Sequence, residues 1–318
     1  MIKQLWIEPS GFCNLKCSMC GGNPRQMLFS KKTGCMSLKN LKNILNRFLE
    51  FSPNLKKVNF RGTGEPLINP KLPEMISYTK TKRLLTGITT NGSLLSLEKS
   101  KELLNADLDY LTLSIESLDK ETYEKIRLGA SLDNVKKNIE IFIKQKNAHK
   151  SKCKIGFNIV LQNDNVKQIP KIINYAAKIG IDTICLLNLE NDYRKEHNTI
   201  IENGKIYGMS YKELLDEFKS WKKLSKNLHI ELFLPPIKTY ANKKCVFDFS
   251  GPIVTCDGYI TPCCRMQELK YKMGNIFKQE LKEIWDNNKY KEFRNGKNQF
   301  CQFCLKYLDR FENMNWLK

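Results

Sequence analysis

The sequence predicts an α/β protein with a parallel sheet and helices packed outside it. From Leu5 to about Leu189, short apolar or β-branched runs alternate with segments whose apolar residues recur at helical spacing. Hydrophobic residues make up 41% of the 318 residues, which is enough for a sizeable core. Such repeats form either a doubly wound sheet or a partial barrel, and periodicity does not choose between them.

The predicted strands share short apolar or β-branched composition, and they are Gln4–Glu8, Lys57–Phe60, Leu85–Thr89, Tyr110–Ile115, Lys154–Val160 and Thr183–Leu187. Apolar residues at helical spacing predict helices that contain Leu38–Leu49, Val135–Ile143 and Ile169–Ala176. Ser37 is placed to cap the first of these helices, and the last should end near Gly180.

A change of texture around Leu234-Pro235-Pro236 predicts a boundary between a unit over residues 1–234 and a smaller unit over residues 235–318. A helix near Tyr211–Leu224 and a short strand near His229–Leu232 precede the boundary. After it, Ile253–Cys256 and Tyr259–Thr261 flank Asp257-Gly258, which predicts a β-hairpin. A helix over Leu281–Phe293 should follow.

The formal net charge is +20, and most of the basic residues are lysines. Either an AT-rich codon usage or a partner rich in phosphate or carboxylate would account for it. No stripe of interleaved Arg and aromatic residues is present, which argues against nucleic acid as a partner. No run approaches the ~18 apolar residues of a membrane helix. The first residues lack a secretory signal, so we expect a cytoplasmic protein without membrane contact.

Twelve cysteines in such a chain indicate metal binding or catalysis rather than disulfides. Cys13, Cys17 and Cys20 stand as C-x-x-x-C-x-x-C directly after the first predicted strand. Thiolates are soft ligands that suit iron–sulfur clusters and zinc. Three of them hold three irons of a cubane and leave the fourth iron open for a ligand. A zinc site completed by a distant fourth ligand is the alternative.

This loop after a first strand resembles the signature of the radical SAM superfamily. The resemblance implies a partial (β/α)6 TIM-like barrel and a four-iron, four-sulfur cluster on Cys13, Cys17 and Cys20. It also implies S-adenosylmethionine (SAM) chelated to the open iron. One electron, from a flavodoxin-like or ferredoxin-like donor, would cleave SAM, and the resulting 5′-deoxyadenosyl radical would remove a hydrogen atom from the substrate.

Two further segments match the family in the expected order. Gly62-Thr63-Gly64-Glu65-Pro66 follows the second strand and resembles the GGEP element, with Thr63 in place of a glycine. Its glycines, Gly62 and Gly64, would let the backbone approach the methionine ammonium of SAM, beside Pro66. Glu65 would orient the loop or pair with that ammonium. Thr90-Asn91-Gly92 follows the third strand and is either a family feature or a plain turn.

Five more residues are candidate SAM contacts by the same resemblance. Met19 stands where the family usually has an aromatic residue, and it could pack on adenine. Ser114 and Glu116 match a segment that contacts the ribose or carboxylate of SAM, and Asn158 could reach the ribose. Arg127 could hold a carboxylate through a bidentate fork. A structural role is the alternative for each.

A second cysteine set, Cys245, Cys263, Cys301 and Cys304, lies in the C-terminal unit. It resembles the small α+β SPASM or twitch domains that carry auxiliary iron–sulfur clusters. The resemblance implies one further four-iron, four-sulfur cluster, hence two clusters in all. Cys264 could replace Cys263 as a ligand. A structural zinc site is the alternative for the whole set.

The main hypothesis is an enzyme that oxidises a small polar alcohol, such as an aminocyclitol or sugar, with the auxiliary cluster accepting an electron. The alternatives are a peptide- or protein-modifying maturase and a non-catalytic electron carrier. Only 12 residues precede Cys13, which we interpret as an argument against peptide substrates. A catalytic residue is not identified. The hydrogen-donor candidates are Cys185, Cys256 and Cys264, and a loop at 190–194 follows the sixth strand as a possible substrate contact.

Overall fold

Six parallel strands lie side by side in the order in which they occur in the chain. The computed structural model describes residues 2–20, 34–189, 201–202, 205–235, 251–263 and 269–295. The strands are β1 (Gln4–Ile7), β2 (Lys57–Phe60), β3 (Leu85–Thr90), β4 (Tyr110–Ser114), β5 (Lys154–Leu161) and β6 (Thr183–Asn188). Each matches its predicted strand to within one residue at either end.

The strand order decides between the two architectures that periodicity left open. A doubly wound sheet reverses its strand order at a switch point, and β1 to β6 show no reversal. Crossovers of one hand between strands in sequential order leave all the helices on one side of the sheet. The structure is therefore a partial barrel, as the family resemblance implied.

Helices lie between these strands and after β6, and four of them contain the segments that the sequence predicted to be helical. The helices are α1 (Leu38–Phe51), α2 (Leu72–Thr81), α3 (Leu97–Asn105), α4 (Lys120–Ile126), α5 (Leu132–Ala148), α6 (Ile169–Ile179) and α7 (Tyr211–Asn227). The Ser37 side chain accepts a hydrogen bond from the Asn40 N–H at the start of α1. Gly180 ends α6 in the left-handed conformation, with φ at 81°.

The C-terminal strands extend the same sheet. After β7 (Ile201–Glu202) and β8 (Lys205–Ile206), which pair only with each other, β9 (Glu231–Phe233) joins β6. The predicted hairpin is confirmed as β10 (Ile253–Val254) and β11 (Tyr259–Thr261), followed by β12 (Gly274–Asn275). Because β10 pairs in parallel with β1, the hairpin lies directly beside the first barrel strand.

The single helix predicted over Leu281–Phe293 is wrong. Two short helices occupy this segment, α8 (Leu281–Asp286) and α9 (Asn288–Arg294). Asn287 between them is extended, and its side chain accepts a hydrogen bond from the Tyr290 N–H. An Asn at this position favours a new helix start over continuation, and the apolar spacing alone did not reveal it.

Helix α1 connects this C-terminal segment to the barrel. Arg47 on α1 forms an ion pair with Glu280 at 2.9 Å and donates to the carbonyl of Gln279 at 2.7 Å. Phe51 packs edge-on against Trp285, with the ring centroids 5.7 Å apart. The C-terminal hairpin and α8 are thus attached to the barrel through both β1 and α1.

The two faces of the barrel sheet differ in chemistry. One face is buried and mostly aliphatic or aromatic, and it includes Ile7, Val58, Phe60, Ile88, Leu111, Leu113, Phe157, Ile159, Ile184 and Leu186. The alternating residues on the other face are half-buried and mostly polar, and they include Asn59, Thr89, Thr112, Ser114, Asn158 and Cys185. The helices cover the first face, so the second face lines the interior of the partial barrel, called the lumen face below.

Among the described residues, no helix is long and apolar enough to cross a membrane.

Candidate active site

The cysteine loop follows β1 at the carboxyl end of the parallel strands. It ends in a 3-10 turn over Ser18–Cys20. Its backbone is attached to two neighbouring segments. The Lys16 N–H donates to the carbonyl of Leu128 at 2.9 Å, and the Glu65 N–H donates to the carbonyl of Phe12 at 2.7 Å. The segments that follow β2 and β4 therefore hold the loop that carries the three thiols.

The three predicted cluster ligands share this loop but differ in exposure. Cys17 is buried, Cys13 is half-buried and Cys20 is exposed. A hydrogen bond with Cys20 and, to a smaller extent, burial raise the pKa of the Cys17 thiol. Burial also raises the pKa of Cys13. The Arg127 guanidinium opposes both shifts, because positive charge favours the thiolate form.

Two side chains direct N–H groups at these thiols. Nη1 of Arg127 lies 3.8 Å from Sγ of Cys17, and Nδ2 of Asn91 lies 4.0 Å from Sγ of Cys13. Such donors compensate the negative charge of thiolates bound to iron. The sequence indicated Arg127 as a carboxylate contact rather than as a donor to a thiol. It indicated Asn91 only as part of the Thr90-Asn91-Gly92 segment, and its position after the third strand was the one signal for a role in the site.

The donor set fits a cluster better than a single ion. In the described ranges, no three Cys, His, Asp or Glu side chains gather as ligands of one metal ion. A four-iron cluster makes a different demand, since each of its thiolates bonds a separate iron. Three thiols on one loop, with an arginine and an amide directed at two of them, meet that demand.

Arg127 already holds a carboxylate of the protein itself. Its Nε and Nη2 both donate to Glu116, and the Nη2–Oε1 distance is 2.7 Å. Burial disfavours the charged guanidinium, yet the adjacent Glu116 carboxylate raises the pKa of Arg127 above its ordinary value. The bidentate fork expected from the sequence is thus occupied by Glu116, and contact of either residue with SAM stays a prediction.

The glycines of the 62–66 loop are required by packing within the protein. A Cβ on Gly62 would lie 2.4 Å from Cγ of Glu8, and one on Gly64 would lie 2.1 Å from the carbonyl oxygen of Ser10. No other residue type has room at either position. Pro66 begins a 3-10 turn over Pro66–Ile68. Their approach to a bound SAM stays a prediction.

Glu65 fastens this loop to the end of β3. Its Oε1 accepts hydrogen bonds from the Thr90 hydroxyl at 2.6 Å and the Leu67 N–H at 3.1 Å. Its Oε2 accepts from the Asn91 N–H at 2.9 Å. Burial raises the pKa of Glu65, and these three hydrogen bonds oppose the rise. Of the two roles considered for Glu65, this geometry supports orientation of the loop.

Three lumen-face residues on neighbouring strands form one row. Ser114 on β4 is in register with Asn158 on β5, which is in register with Cys185 on β6. Met19 lies near the end of β5, where the Gln162 amide is 3.7 Å from its sulfur atom. The structure therefore brings Ser114 and Asn158 together on the lumen face, below the cysteine loop.

Three members of the second cysteine set, Cys245, Cys301 and Cys304, lie outside the described residues. The alternative ligand Cys264 and the loop at 190–194 also lie outside them. Cys263 is described: it is buried and follows β11. Cys256, a hydrogen-donor candidate, is buried in the turn before β11.

Comparison with protein families supports the same interpretation. The radical SAM superfamily model matches residues 7–176, which is more than half of the chain. A second model, the SPASM iron–sulfur cluster-binding domain, matches residues 245–306. The second match begins at Cys245 and includes Cys263, Cys301 and Cys304.

Curated relatives match along most of their length. A protein of Pyrococcus furiosus named "Tungsten-containing aldehyde ferredoxin oxidoreductase cofactor-modifying protein" is 28% identical over 311 residues, covering 92% of this chain and 83% of the relative. A protein of Methanococcus maripaludis named "Probable GTP 3',8-cyclase" is 30% identical over 266 residues, covering 82% of this chain and 84% of the relative.

Solved structures share the fold. SuiB of Streptococcus suis superposes with a TM-score of 0.72 at 18% identity, covering 93% of this chain and 68% of that one. The structure titled "Native anSMEcpe with bound AdoMet" gives a TM-score of 0.70 at 22% identity, covering 95% and 86%. Together with the cysteine loop and the family matches, this fold shows that the chain belongs to the radical SAM superfamily, as an enzyme that uses SAM and iron–sulfur clusters and carries a SPASM domain.

Proposed function

We propose that the enzyme removes a hydrogen atom from a small polar alcohol and oxidises it. Cys13, Cys17 and Cys20 would hold the first four-iron, four-sulfur cluster, which supplies the electron that splits SAM into methionine and the 5′-deoxyadenosyl radical. Cys245, Cys263, Cys301 and Cys304 would hold a second cluster within the unit over residues 235–318. This cluster would accept the second electron from the substrate radical, whose hydroxyl proton would be lost to solvent as the carbonyl forms.

The observation that carries this proposal is the chemistry of the lumen face. Thr89, Thr112 and Asn158 offer uncharged hydroxyl and amide groups, each half-buried on the lumen face. Such groups recognise substrate hydroxyls by hydrogen bonding and exclude analogues that lack them. The opposite face of the same strands is mostly apolar, so the half-buried polar groups lie mainly on the side on which a ligand would bind.

The residues near the thiols would prepare the site before a substrate enters. Arg127 and Asn91 direct N–H groups at Cys17 and Cys13, which would stabilise negative charge on the cluster. Glu65 holds the 62–66 loop against β3, so that its backbone is already ordered when SAM binds.

A nucleotide is a second candidate substrate. One relative, 30% identical over 84% of its own length, is named "Probable GTP 3',8-cyclase". In this chain Arg61 follows β2, and its Cζ lies 4.2 Å from the centroid of the Trp6 ring. An arginine at the carboxyl end of a barrel strand is suited to phosphate oxygens. Charged phosphates would then bind at Arg61, and the hydroxyl and amide groups of the lumen face would contact the sugar.

Reduction of the cluster in the cell calls for an electron donor. We propose a flavodoxin-like or ferredoxin-like donor. The net charge of +20 would attract an acidic carrier of that kind, and the effect should weaken as the salt concentration rises.

The test is anaerobic reconstitution of the full chain with iron and sulfide, followed by dithionite and SAM. We expect about eight irons per chain, since two clusters of four irons are proposed, and formation of 5′-deoxyadenosine. The variant with Cys13, Cys17 and Cys20 all changed to Ala should lose about half of the iron and all cleavage. Absence of 5′-deoxyadenosine from the reconstituted wild type would refute the enzymatic proposal.

Substrate class is tested on the same preparation. Separate panels of aminocyclitols and sugars, nucleoside triphosphates and short peptides are added, and 5′-deoxyadenosine is quantified against a no-substrate control. Stimulation by the first panel, with a product two hydrogen atoms lighter, supports alcohol oxidation. Stimulation confined to nucleotides or to peptides would refute it in favour of that class.

A further inference from the structure

One buried carboxylate joins the 62–66 loop to the C-terminal hairpin. Oε1 of Glu8 accepts hydrogen bonds from the Thr63 N–H at 2.8 Å and the Thr63 hydroxyl at 2.6 Å. Oε2 of the same carboxylate accepts from the Cys256 N–H at 3.4 Å. Glu8 directly follows β1 and is 2% exposed. The Glu8 carboxylate thus contacts both the 62–66 loop and the turn at Cys256, which are far apart in sequence.

The packing around this carboxylate leaves it little room to move. Gly62 lies so close that a Cβ there would meet both Cγ and Oε1 of Glu8, at 2.4 and 2.5 Å. The Glu8 N–H also donates to the carbonyl of Val254 on β10, at 2.9 Å. A shift of the 62–66 loop must therefore displace the Glu8 side chain, and with it the hydrogen bond to Cys256.

The shortest of these contacts depends on a residue that departs from the family pattern. Thr63 occupies the position where the GGEP element has a glycine. A glycine would keep the backbone N–H donor but could not supply the hydroxyl that lies 2.6 Å from Oε1. The hydroxyl contact with Glu8 is thus one that the usual glycine at this position could not make.

The hairpin at the other end of the connection leads to the second cysteine set. Cys256 lies in the turn between β10 and β11, and Cys263 follows β11 by two residues. Both Cys256 and Cys263 are buried. Strand β11 therefore connects the turn directly to a predicted ligand of the auxiliary cluster.

We propose that Glu8 is a positioning residue that couples SAM binding at the 62–66 loop to the order of the auxiliary-cluster hairpin. The coupling rests on the predicted contact between SAM and residues 62–66. Because such linkage is reciprocal, a more ordered hairpin must also strengthen SAM binding by the same factor.

The direct test is hydrogen–deuterium exchange of the reconstituted full chain, with and without SAM. In the wild type, SAM should slow exchange in peptides covering 253–261 by about five-fold, a typical size for a coupling between two sites. Thr63→Val, which removes the hydroxyl but keeps the shape, should lose most of that slowing. Thr63→Ser restores the hydroxyl and should retain it.

A matched control separates the coupling from simple loss of a buried hydroxyl. Thr79→Val removes a fully buried hydroxyl that donates within α2, to the carbonyl of Met75 at 2.7 Å. It should leave the effect of SAM on the hairpin unchanged. Glu8→Gln provides a second disrupting variant, provided that its thermal unfolding midpoint shows a folded protein.

Equilibrium dialysis of SAM gives the reciprocal measurement. Thr63→Val should weaken SAM binding by about five-fold, and Thr63→Ser and Thr79→Val should not. Equal hairpin protection in the wild type and Thr63→Val, or no protection in either, would overturn the coupling. Both experiments measure binding and order rather than turnover, so they stand whether or not any alcohol is oxidised.

Discussion

Arg127 donates through Nη2 to Oε1 of Glu116 at 2.7 Å, while its Nη1 lies 3.8 Å from the sulfur of Cys17. The Glu116 side chain is 0% exposed and the Arg127 side chain is 9% exposed. One buried ion pair thus orients a guanidinium towards a predicted cluster ligand, and this arrangement leads to the first two predictions.

Glu116→Gln should destabilise the protein by about 3–5 kcal/mol, because it leaves the Arg127 charge buried without its partner. Urea unfolding of the protein without clusters, followed by circular dichroism, measures the change. Asp133→Asn is the matched control: it breaks an ion pair with Lys120 whose two side chains are more than half exposed. Because solvent screens an exposed pair of this kind, that control should leave the stability nearly unchanged. Equal stability of the two variants would contradict a buried, charged pair.

Arg127→Lys should make the midpoint potential of the first cluster more negative, by an amount on the order of tens of millivolts. Lysine keeps the charge but lacks the planar fork, so it cannot bind Glu116 at two points and also face Cys17. A redox titration monitored by electron paramagnetic resonance measures the potential. Lys125→Gln, on the exposed side of α4, is the control and should not change it. An unaltered potential in Arg127→Lys would show that its N–H does not reach the sulfur.

Glu65→Gln should weaken SAM binding by roughly ten-fold and lower stability by about 1–3 kcal/mol. Either orientation of the new amide directs its NH₂ group at a donor, the Asn91 N–H on one side or the Thr90 hydroxyl and Leu67 N–H on the other. Equilibrium dialysis and thermal unfolding measure the two effects. Glu74→Gln, at an exposed position of α2, is the control. Wild-type SAM affinity in Glu65→Gln would mean that the loop does not require this attachment.

Lys57→Met should stabilise the protein at pH 7, by an amount that shrinks as the pH rises. Burial lowers the pKa of Lys57 to about 8, from an ordinary value of 10.5. The unfolded chain therefore binds more protons between these two values, so wild-type stability rises with pH across that window. The full cost of the buried charge is present below pH 8. Differences in thermal midpoint at pH 7 and pH 10 test this, and a constant difference would contradict a lowered pKa.

Much of the fold could be predicted because its signals are local. Alternating apolar runs located the barrel strands to within one residue, and Ser37 and Gly180 marked helix ends through capping chemistry. The break at Asn287 escaped prediction, since the apolar spacing continues across it while the Asn side chain begins a new helix.

The sequence by itself determined the cysteine loop, its position after the first strand and the order of the motifs that follow it. Spacing along the chain carries that information, since neighbouring ligands on one loop need no distant contacts. Only the tertiary structure decided that the strands follow one another without a switch point, that Arg127 binds Glu116, and that Glu8 joins Thr63 to Cys256. These depend on strand register and on contacts between residues up to 248 positions apart, which periodicity along the chain does not encode.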